Sequence, residues 1–154
     1  MLTTLHTGPT RDASLMSDHV EASSRRAVIA GAEPQLLVAD ISLSCDFYKS
    51  KLGFDVAFVH GEPPFYAQVK RDGARINLRG VEQPLIDPVR RAREELLSAS
   101  FTVAHPEDIK ALFLEFEGAG AEFLQPLKRE PWGARDFIVR DPDGNLLLFA
   151  GPAE

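Results

Sequence analysis

The sequence predicts an α+β fold in which two βαβββ units form one curved, barrel-like mixed sheet. The first observation is a repeated hairpin, because VKRDGARINLRG (69–80) and VRDPDGNLLLFAG (139–151) share the spacing between their two glycines. The second lies upstream, where residues 36–58 and 101–124 both run from a short β-type segment through an Asp-Ile pair and a helix to another strand. The 154 residues suit one compact domain, or two small units that share a core.

The repeat also sets the predicted domain organisation. The residues before the repeat are mostly polar or small and show no apolar periodicity, so we expect a disordered or loosely packed N-terminal arm. Met16 within it is an alternative start of the protein. The predicted parts are the arm at 1–32 and a domain at 33–151, made of a first unit at 33–80, a connector at 81–97 and a second unit at 98–151.

The helix of the first unit is predicted from apolar residues at helical spacing. Ile41, Cys45, Tyr48 and Leu52 recur on one face, and Gly53 follows as a C-terminal cap. Such a stripe favours core packing, so we expect Cys45 to be a packed thiol and not a nucleophile. The β-rich runs that follow are FDVAFVH, FYAQV and ARINLRG.

The second unit follows the same plan. Pro106, Glu107 and Asp108 place a proline and two acids in the first turn of its helix, where the helix dipole favours negative charge. Glycine in the turns RDG and DPDG can take the positive φ of a tight hairpin. The connector contains two prolines and a short amphipathic segment at 88–97. The apolar stripe of the second helix is Ile109, Leu112, Phe113 and Phe116, and the β-rich runs are AEFLQPL, DFIVR and LLLFAG.

Composition and charge narrow the classes of partner. With 44% hydrophobic residues and no apolar run near the about 20 residues of a membrane span, the chain is expected to be soluble, with no membrane partner. The net charge of −6 argues against nucleic acid, and a neutral or cationic ligand fits it better. Cys45 is the only cysteine, so no internal disulfide or cysteine zinc cluster can form, and the cytoplasm is the expected compartment.

Two segments carry a resemblance to a known family. LLVADISLSCDFYKSKLGF (36–54) and PWGARDFIVRDPDGNLLLF (131–149) resemble the vicinal oxygen chelate (VOC) superfamily, which includes glyoxalase I, the bleomycin resistance proteins, fosfomycin resistance enzymes and extradiol dioxygenases. The resemblance covers about residues 33–151 and implies the glyoxalase/bleomycin resistance fold. It does not identify the chemistry, since one fold hosts many functions.

Catalytic members of that family hold a divalent metal with ligands from the first and fourth strands of each unit, and the metal acts as a Lewis acid on two neighbouring substrate oxygens. The repeat places Glu33 and Ser98 at the first-strand positions, and Asn77 and Leu148 at the fourth-strand positions. Leucine cannot coordinate a metal, and a neutral hydroxyl binds one weakly. We therefore expect no cofactor and no metal; the alternative is a divalent metal on Glu33 and Asn77.

The first strand, EPQLLVAD (33–40), resembles the bleomycin-resistance branch, in which a proline replaces a metal-ligating pattern. That branch implies a homodimer with a groove at each interface, which sequesters a drug without chemical change. The implied function is a metal-free, antibiotic-resistance-type binding protein for a small organic molecule, with no catalytic residue. The alternatives are a metal-dependent glyoxalase-like lyase or isomerase, a dioxygenase, and an interaction module with a closed cleft.

Strand alternation selects the residues that line the cleft, since residues two apart face the same side of a sheet. If the four metal-type positions point inward, their neighbours two residues away do so as well. Arg75 and Arg79 could instead face solvent at an edge of the sheet, and Trp132 could instead cover the edge of the core. The predicted ligand-binding residues are Gln35, Arg75, Asn77, Arg79, Ser98, Ser100, Trp132 and Leu148.

Overall fold

The computed structural model describes residues 26–153. Contacts divide the chain into two units, Met1–Ala32 and Glu33–Glu154. Of the first unit, residues 26–32 are described; they are exposed and form neither helix nor strand. The rest of the predicted arm, including Met16, lies outside the described residues.

The part of the chain from Glu33 onward contains eight strands and three helices within the described residues. This arrangement confirms the predicted α+β class with two βαβββ units. The first βαβββ unit consists of β1 (Gln35–Val38), α1 (Ile41–Leu52), β2 (Asp55–His60), β3 (Tyr66–Arg71) and β4 (Ala74–Gly80). The second consists of β5 (Ala99–Thr102), α3 (Asp108–Gly118), β6 (Glu122–Arg129), β7 (Arg135–Arg140) and β8 (Leu146–Gly151), and α2 (Pro88–Arg93) lies between the two.

The strands form two four-stranded mixed sheets with the same topology. Their orders are β1-β4-β3-β2 and β5-β8-β7-β6, and in each sheet the first strand pairs in parallel with the fourth while the other pairs are antiparallel. The sequence repeat is thus a structural repeat, and equivalent positions of the two sheets can be compared directly.

The helices begin and end for local reasons. The Asp40 carboxylate accepts a hydrogen bond from the Leu43 amide at the start of α1, and Gly53 ends α1 at φ 66°, a conformation that glycine adopts without strain. Helix α3 begins at Asp108 without a side-chain cap, two residues after Pro106. Asp87 caps α2, none of whose residues is buried.

One hydrophobic core joins the two sheets. Each sheet contributes alternate residues of its strands, and helices α1 and α3 contribute one apolar face each. Phe137 and Phe149 stack at 5.3 Å between ring centroids, with Phe116 edge-on to both. The fully buried members include Val38, Tyr48, Leu52, Ala67, Val69, Ile76, Leu78, Ile109, Phe116, Phe137, Val139 and Leu147. Since both sheets place these residues in the same core, their other faces point away from it.

Hydrogen bonds also tie each unit to the helix of the other. Tyr48 of α1 donates its hydroxyl proton to Asp141 Oδ2 at the end of β7 (2.9 Å), and both residues are buried. At the equivalent end of β3, Arg71 makes two hydrogen bonds with the carboxylate of Glu115 in α3, at 2.8 and 2.9 Å. The Asn145 side chain adds a bond from its Nδ2 to the carbonyl oxygen of Leu37.

No helix in the described part of the chain has the length and apolar character that crossing a bilayer requires.

Candidate functional site

The face of the first sheet that points away from the core carries polar side chains at its centre. Register places Gln35 of β1 beside Asn77 of β4, and Asn77 beside Gln68 of β3. Directly opposed residues of neighbouring strands project on the same side, so these three side chains form one row across the sheet. Arg75 and Arg79 lie two residues to either side of Asn77 and share its face.

A hydrogen-bonded cluster joins Gln68 and Asn77 of this row to Glu33. Gln68 Nε2 donates to Glu33 Oε2 at 3.0 Å and to Asn77 Oδ1 at 2.9 Å, and Asn77 Nδ2 lies 3.3 Å from Glu33 Oε2. Arg75 Nη1 lies 3.8 Å from Glu33 Oε1, a loose ion pair. The cluster offers amide and carboxylate groups of fixed orientation to a ligand, and such groups commonly set specificity in a binding site.

An aromatic group occupies the end of the same face, next to the β2–β3 turn. The rings of Phe58 and Tyr66 lie 6.1 Å apart between centroids and 22° from parallel, and His60 lies edge-on to Phe58 at 5.6 Å. The guanidinium carbon of Arg79 lies 5.0 Å from the centroid of the Phe65 ring. Phe58 and His60 were not predicted as site residues, although their spacing of two along β2 and their pairing with β3 are a signal that strand alternation provides.

The outward face of the second sheet is mainly apolar at the equivalent positions. Leu148 of β8 lies between Ser100 of β5 and Ile138 of β7, where the first sheet has Asn77 between Gln35 and Gln68. A pocket of about 170 Å³ opens on this face. It is lined by Glu95, Leu97, Gln125, Lys128, Glu130, Asp136, Ile138 and Leu148.

Charged groups form the rim of that pocket. Lys128 Nζ pairs with Glu130 Oε1 at 2.8 Å, and Gln125 Nε2 donates to Asp136 Oδ1 at 2.7 Å. Burial raises the pKa of Asp136, and the neighbouring carboxylate of Glu130 raises it further. The pocket therefore combines an apolar floor with a rim of both charges.

Three predicted residues have distinct surroundings. The Ser98 hydroxyl accepts hydrogen bonds from the Leu146 amide (3.1 Å) and from Arg91 Nη1 (2.5 Å). These bonds link β5 to the start of β8 and to α2, so the hydroxyl has a structural role. Ser100 is exposed beside Leu148. Trp132 lies in the β6–β7 turn with 69% of its surface exposed.

Cys45 is buried, as its place in the apolar stripe indicates, and burial raises the pKa of its thiol.

The predicted residues thus fall into two groups. Those on the first sheet are Gln35, Arg75, Asn77 and Arg79, and those of the second unit include Ser98, Ser100 and Leu148. Both sheets turn their opposite faces into the same core, so the two outward faces of one chain do not converge on a single cleft. The homodimer with a groove at each interface, which the resemblance implies, stays a prediction.

The donor groups do not fit the metal site of the resembled enzymes. In the first unit Glu33 and Asn77 share hydrogen bonds with Gln68. In the second, the fourth-strand position is Leu148, which cannot coordinate. Within residues 26–153, no three or more His, Cys, Asp or Glu side chains form a group that could hold a metal ion.

Comparisons with known proteins agree with this architecture. The model of the Glyoxalase/Bleomycin resistance protein/Dioxygenase superfamily matches residues 18–149. A bleomycin resistance protein of Geobacillus stearothermophilus is 35% identical over 126 residues, which cover 75% of this chain and 92% of the relative.

Solved structures show the same fold. A bleomycin-binding protein from bleomycin-producing Streptomyces verticillus, complexed with copper(II)-bleomycin, matches with a TM-score of 0.62 and 24% identity over 82% of this chain and 99% of its own. TioX from Micromonospora sp. ML1 matches with a TM-score of 0.60 and 22% identity over 79% of this chain and 98% of its own.

Proposed function

The chain belongs to the glyoxalase/bleomycin resistance protein/dioxygenase superfamily, and from that premise we propose that it is a metal-free binding protein of the bleomycin-resistance type. It sequesters a small organic molecule in a cleft between sheets and makes no bond to it. The observation that carries the proposal is Leu148, flanked by Ser100 and Ile138 at the position where the enzymes need a metal ligand. The 35% identity to a bleomycin resistance protein supports the same function.

The proposed cleft forms between two copies of the chain. A homodimer brings the outward face of the first sheet of one protomer opposite that of the second sheet of its partner, so that two complete clefts form. The exposed ring of Phe58 supports this arrangement, because it lies on the outward face opposite Gln68 and is 40% exposed in a single chain. The cytoplasmic location stays a prediction from the single cysteine.

The two walls of such a cleft differ in chemistry. The wall from the first sheet carries Gln35, Asn77 and Arg75, which can orient a ligand through hydrogen bonds. The wall from the second sheet carries Ile138 and Leu148. Burial of apolar ligand surface against that wall supplies most of the affinity, at roughly 25 cal/mol per Å² removed from water.

The test is a thermal-shift and calorimetric titration of the purified, EDTA-treated protein with metal-free bleomycin and a panel of other antibiotics and metabolites. A ligand that binds only the folded protein stabilises it by about 2.7 kcal/mol at 100 times its Kd. We expect Leu148→Arg to weaken binding at least tenfold, because it places a charge on the apolar wall. Leu114→Arg is the matched control, since Leu114 is an exposed leucine on α3 outside the proposed cleft.

Sedimentation velocity on the same samples measures the dimer. A monomer at micromolar concentration would contradict the two-chain cleft. The binding function itself would be wrong if no organic compound stabilised the metal-free protein, while a divalent metal produced turnover of a hemithioacetal or catechol that Glu33→Ala abolished.

A further inference from the structure

Arg79 differs from the other arginines of the first sheet in its surroundings. Arg71 is paired with Glu115 at 2.8 Å, and Arg75 lies 3.8 Å from Glu33. Among the residues that the structure describes, no carboxylate lies within ion-pair distance of Arg79, and its guanidinium lies over the Phe65 ring. The N–H donors in the plane of that guanidinium therefore remain available for an anion.

The Phe65 ring beneath Arg79 is held in place by its neighbours. The Phe65 amide donates to the His60 carbonyl oxygen at 2.9 Å, and the Gly80 amide donates to the Phe65 carbonyl oxygen at 2.8 Å. Gly61 has φ +97°, and a Cβ at that position would overlap the Phe65 ring. The ring thus fits against a glycine that has no side chain, and it supports the guanidinium before any ligand arrives.

Two stacked aromatic rings lie beside this guanidinium. Tyr66 is the cross-strand neighbour of Arg79, and the Phe58 ring stacks on the Tyr66 ring with 6.1 Å between centroids and 22° between the planes. Phe58 is 40% exposed, so its ring is open to a ligand. A planar molecule can pack on the exposed Phe58 ring while a group at its edge extends toward Arg79.

The charges on this face favour an anion at that edge. Arg79, Arg75 and Lys70 lie on the face, together with the acidic side chains of Glu33, beside Arg75, and Asp55, opposite Lys70. These two acids are nearer to Arg75 and Lys70 than to the aromatic end where Arg79 lies. Glu62 in the β2–β3 turn is the acidic residue of that end, and it makes no ion pair with Arg79. The net charge of −6 favours a neutral or cationic ligand for the chain as a whole, whereas this local arrangement favours an anion.

We propose that the cleft selects planar aromatic carboxylates, which stack on the exposed Phe58 ring and pair with the guanidinium of Arg79. This inference rests on the proposed function, since it names the ligand class of the same cleft. A guanidinium and a carboxylate form two parallel hydrogen bonds, so the pair fixes both the charge and the orientation of the ligand.

The test compares three probes of the same shape and different charge: 2-naphthoate, 2-naphthamide and 2-naphthylmethylammonium. Binding to the full-length protein is measured by calorimetry and by NMR shifts of backbone amides. We expect 2-naphthoate to bind about tenfold or more tightly than the amide, with the cation weakest, and the largest shifts at Phe58, Tyr66 and Arg79. This comparison needs no variant, so it does not depend on whether one folds.

Arg79→Gln should reduce 2-naphthoate binding to the level of the amide, and its melting temperature shows whether it folds. Arg93→Gln removes the same charge from α2, outside the site, and should keep the preference for the carboxylate. Equal binding of the three probes, or a preference that survives in Arg79→Gln, overturns the inference. If another compound binds the metal-free protein while 2-naphthoate shows no preference, this inference fails and the proposed function stands; if no organic compound binds, both fail.

Discussion

Replacing Tyr48 with phenylalanine removes one hydroxyl from the bond that joins α1 to the end of β7. Tyr48 is fully buried and Asp141 is 3% exposed, so water cannot take the place of the lost donor. The Asp141 carboxylate accepts four hydrogen bonds, from Tyr48, from the Asn145 side chain and from the amides of Asp143 and Asn145. The variant leaves three of these bonds.

The expected cost follows from the charge of the acceptor. A hydrogen bond to a charged group contributes about 1.5–3 kcal/mol to stability, and a buried acceptor that loses its donor keeps its desolvation cost. At about 2–4 °C per kcal/mol for a domain of this size, Tyr48→Phe should lower the melting temperature by roughly 3–12 °C at neutral pH. The other tyrosine, Tyr66, has no hydrogen bond to its hydroxyl among the described residues, so Tyr66→Phe should cost about 0.5 kcal/mol or less.

The cost should also depend on pH. Burial raises the pKa of Asp141, while the hydrogen bonds from Asn145 and Tyr48 lower it. Because the pKa in the folded state is raised above the unfolded value, ionisation of Asp141 reduces stability as the pH rises through the folded pKa. Tyr48→Phe removes a bond that stabilises the ionised form, so its cost should be largest above the folded pKa of Asp141 and should shrink as Asp141 becomes protonated. Tyr48 itself does not titrate in this range, since its pKa is raised well above 10.0.

Urea unfolding of the wild type and both variants, at several pH values between 5 and 8 and at one protein concentration, measures these differences. A cost for Tyr48→Phe below that of Tyr66→Phe would refute the argument about the buried bond. A cost that stays constant or grows toward acid pH would refute the role assigned to the ionised carboxylate of Asp141.

Two further predictions concern the other unit-to-unit contact. Gly53→Ala should destabilise the protein by about 1–2 kcal/mol in urea unfolding, because φ is positive there and the new Cβ would lie 2.9 Å from Arg71 Nη1. The control is Gly118→Ala in α3, which should be neutral or stabilising because a Cβ there would meet nothing within 4 Å. An equal loss of stability in both variants would contradict the explanation. Glu115→Gln should cost about 1 kcal/mol at low salt and less in 1 M NaCl, because the pair with Arg71 is partly exposed, and a cost independent of salt would show that the ion pair is not its source.

Local patterns in the sequence were sufficient to predict the two βαβββ units and their helices. The stripe of Ile41, Cys45, Tyr48 and Leu52 is buried in α1, and the repeat of the glycine turns corresponds to two sheets of one topology. Alternation along β4 also places Arg75, Asn77 and Arg79 on one side of the sheet, because a strand repeats every two residues. These features depend on residues that are close in sequence.

The remaining features depend on residues far apart in sequence. The Ser98 hydroxyl is occupied by Arg91, Asn145 and the Leu146 amide, and no pattern around Ser98 indicates this. Gln68 was missed because a single glutamine within the apolar run FYAQV becomes a site candidate only when β4 brings Asn77 beside it. Whether the two outward faces meet within one chain depends on which side of each sheet the helices cover, and a strand pattern leaves both sides equivalent.

The bonds between the units also make the two halves of the repeat non-interchangeable. At the end of β7 an aspartate meets a tyrosine hydroxyl in the core, whereas at the end of β3 an arginine meets a glutamate near the surface. If a unit packed against a copy of itself, Asp141 would face Phe116, the equivalent of Tyr48, or Arg71 would face Tyr48, and a charge would lose its partner. The symmetry of the repeat is therefore broken by side-chain chemistry, which favours packing of each βαβββ unit against the other one and not against a copy of itself.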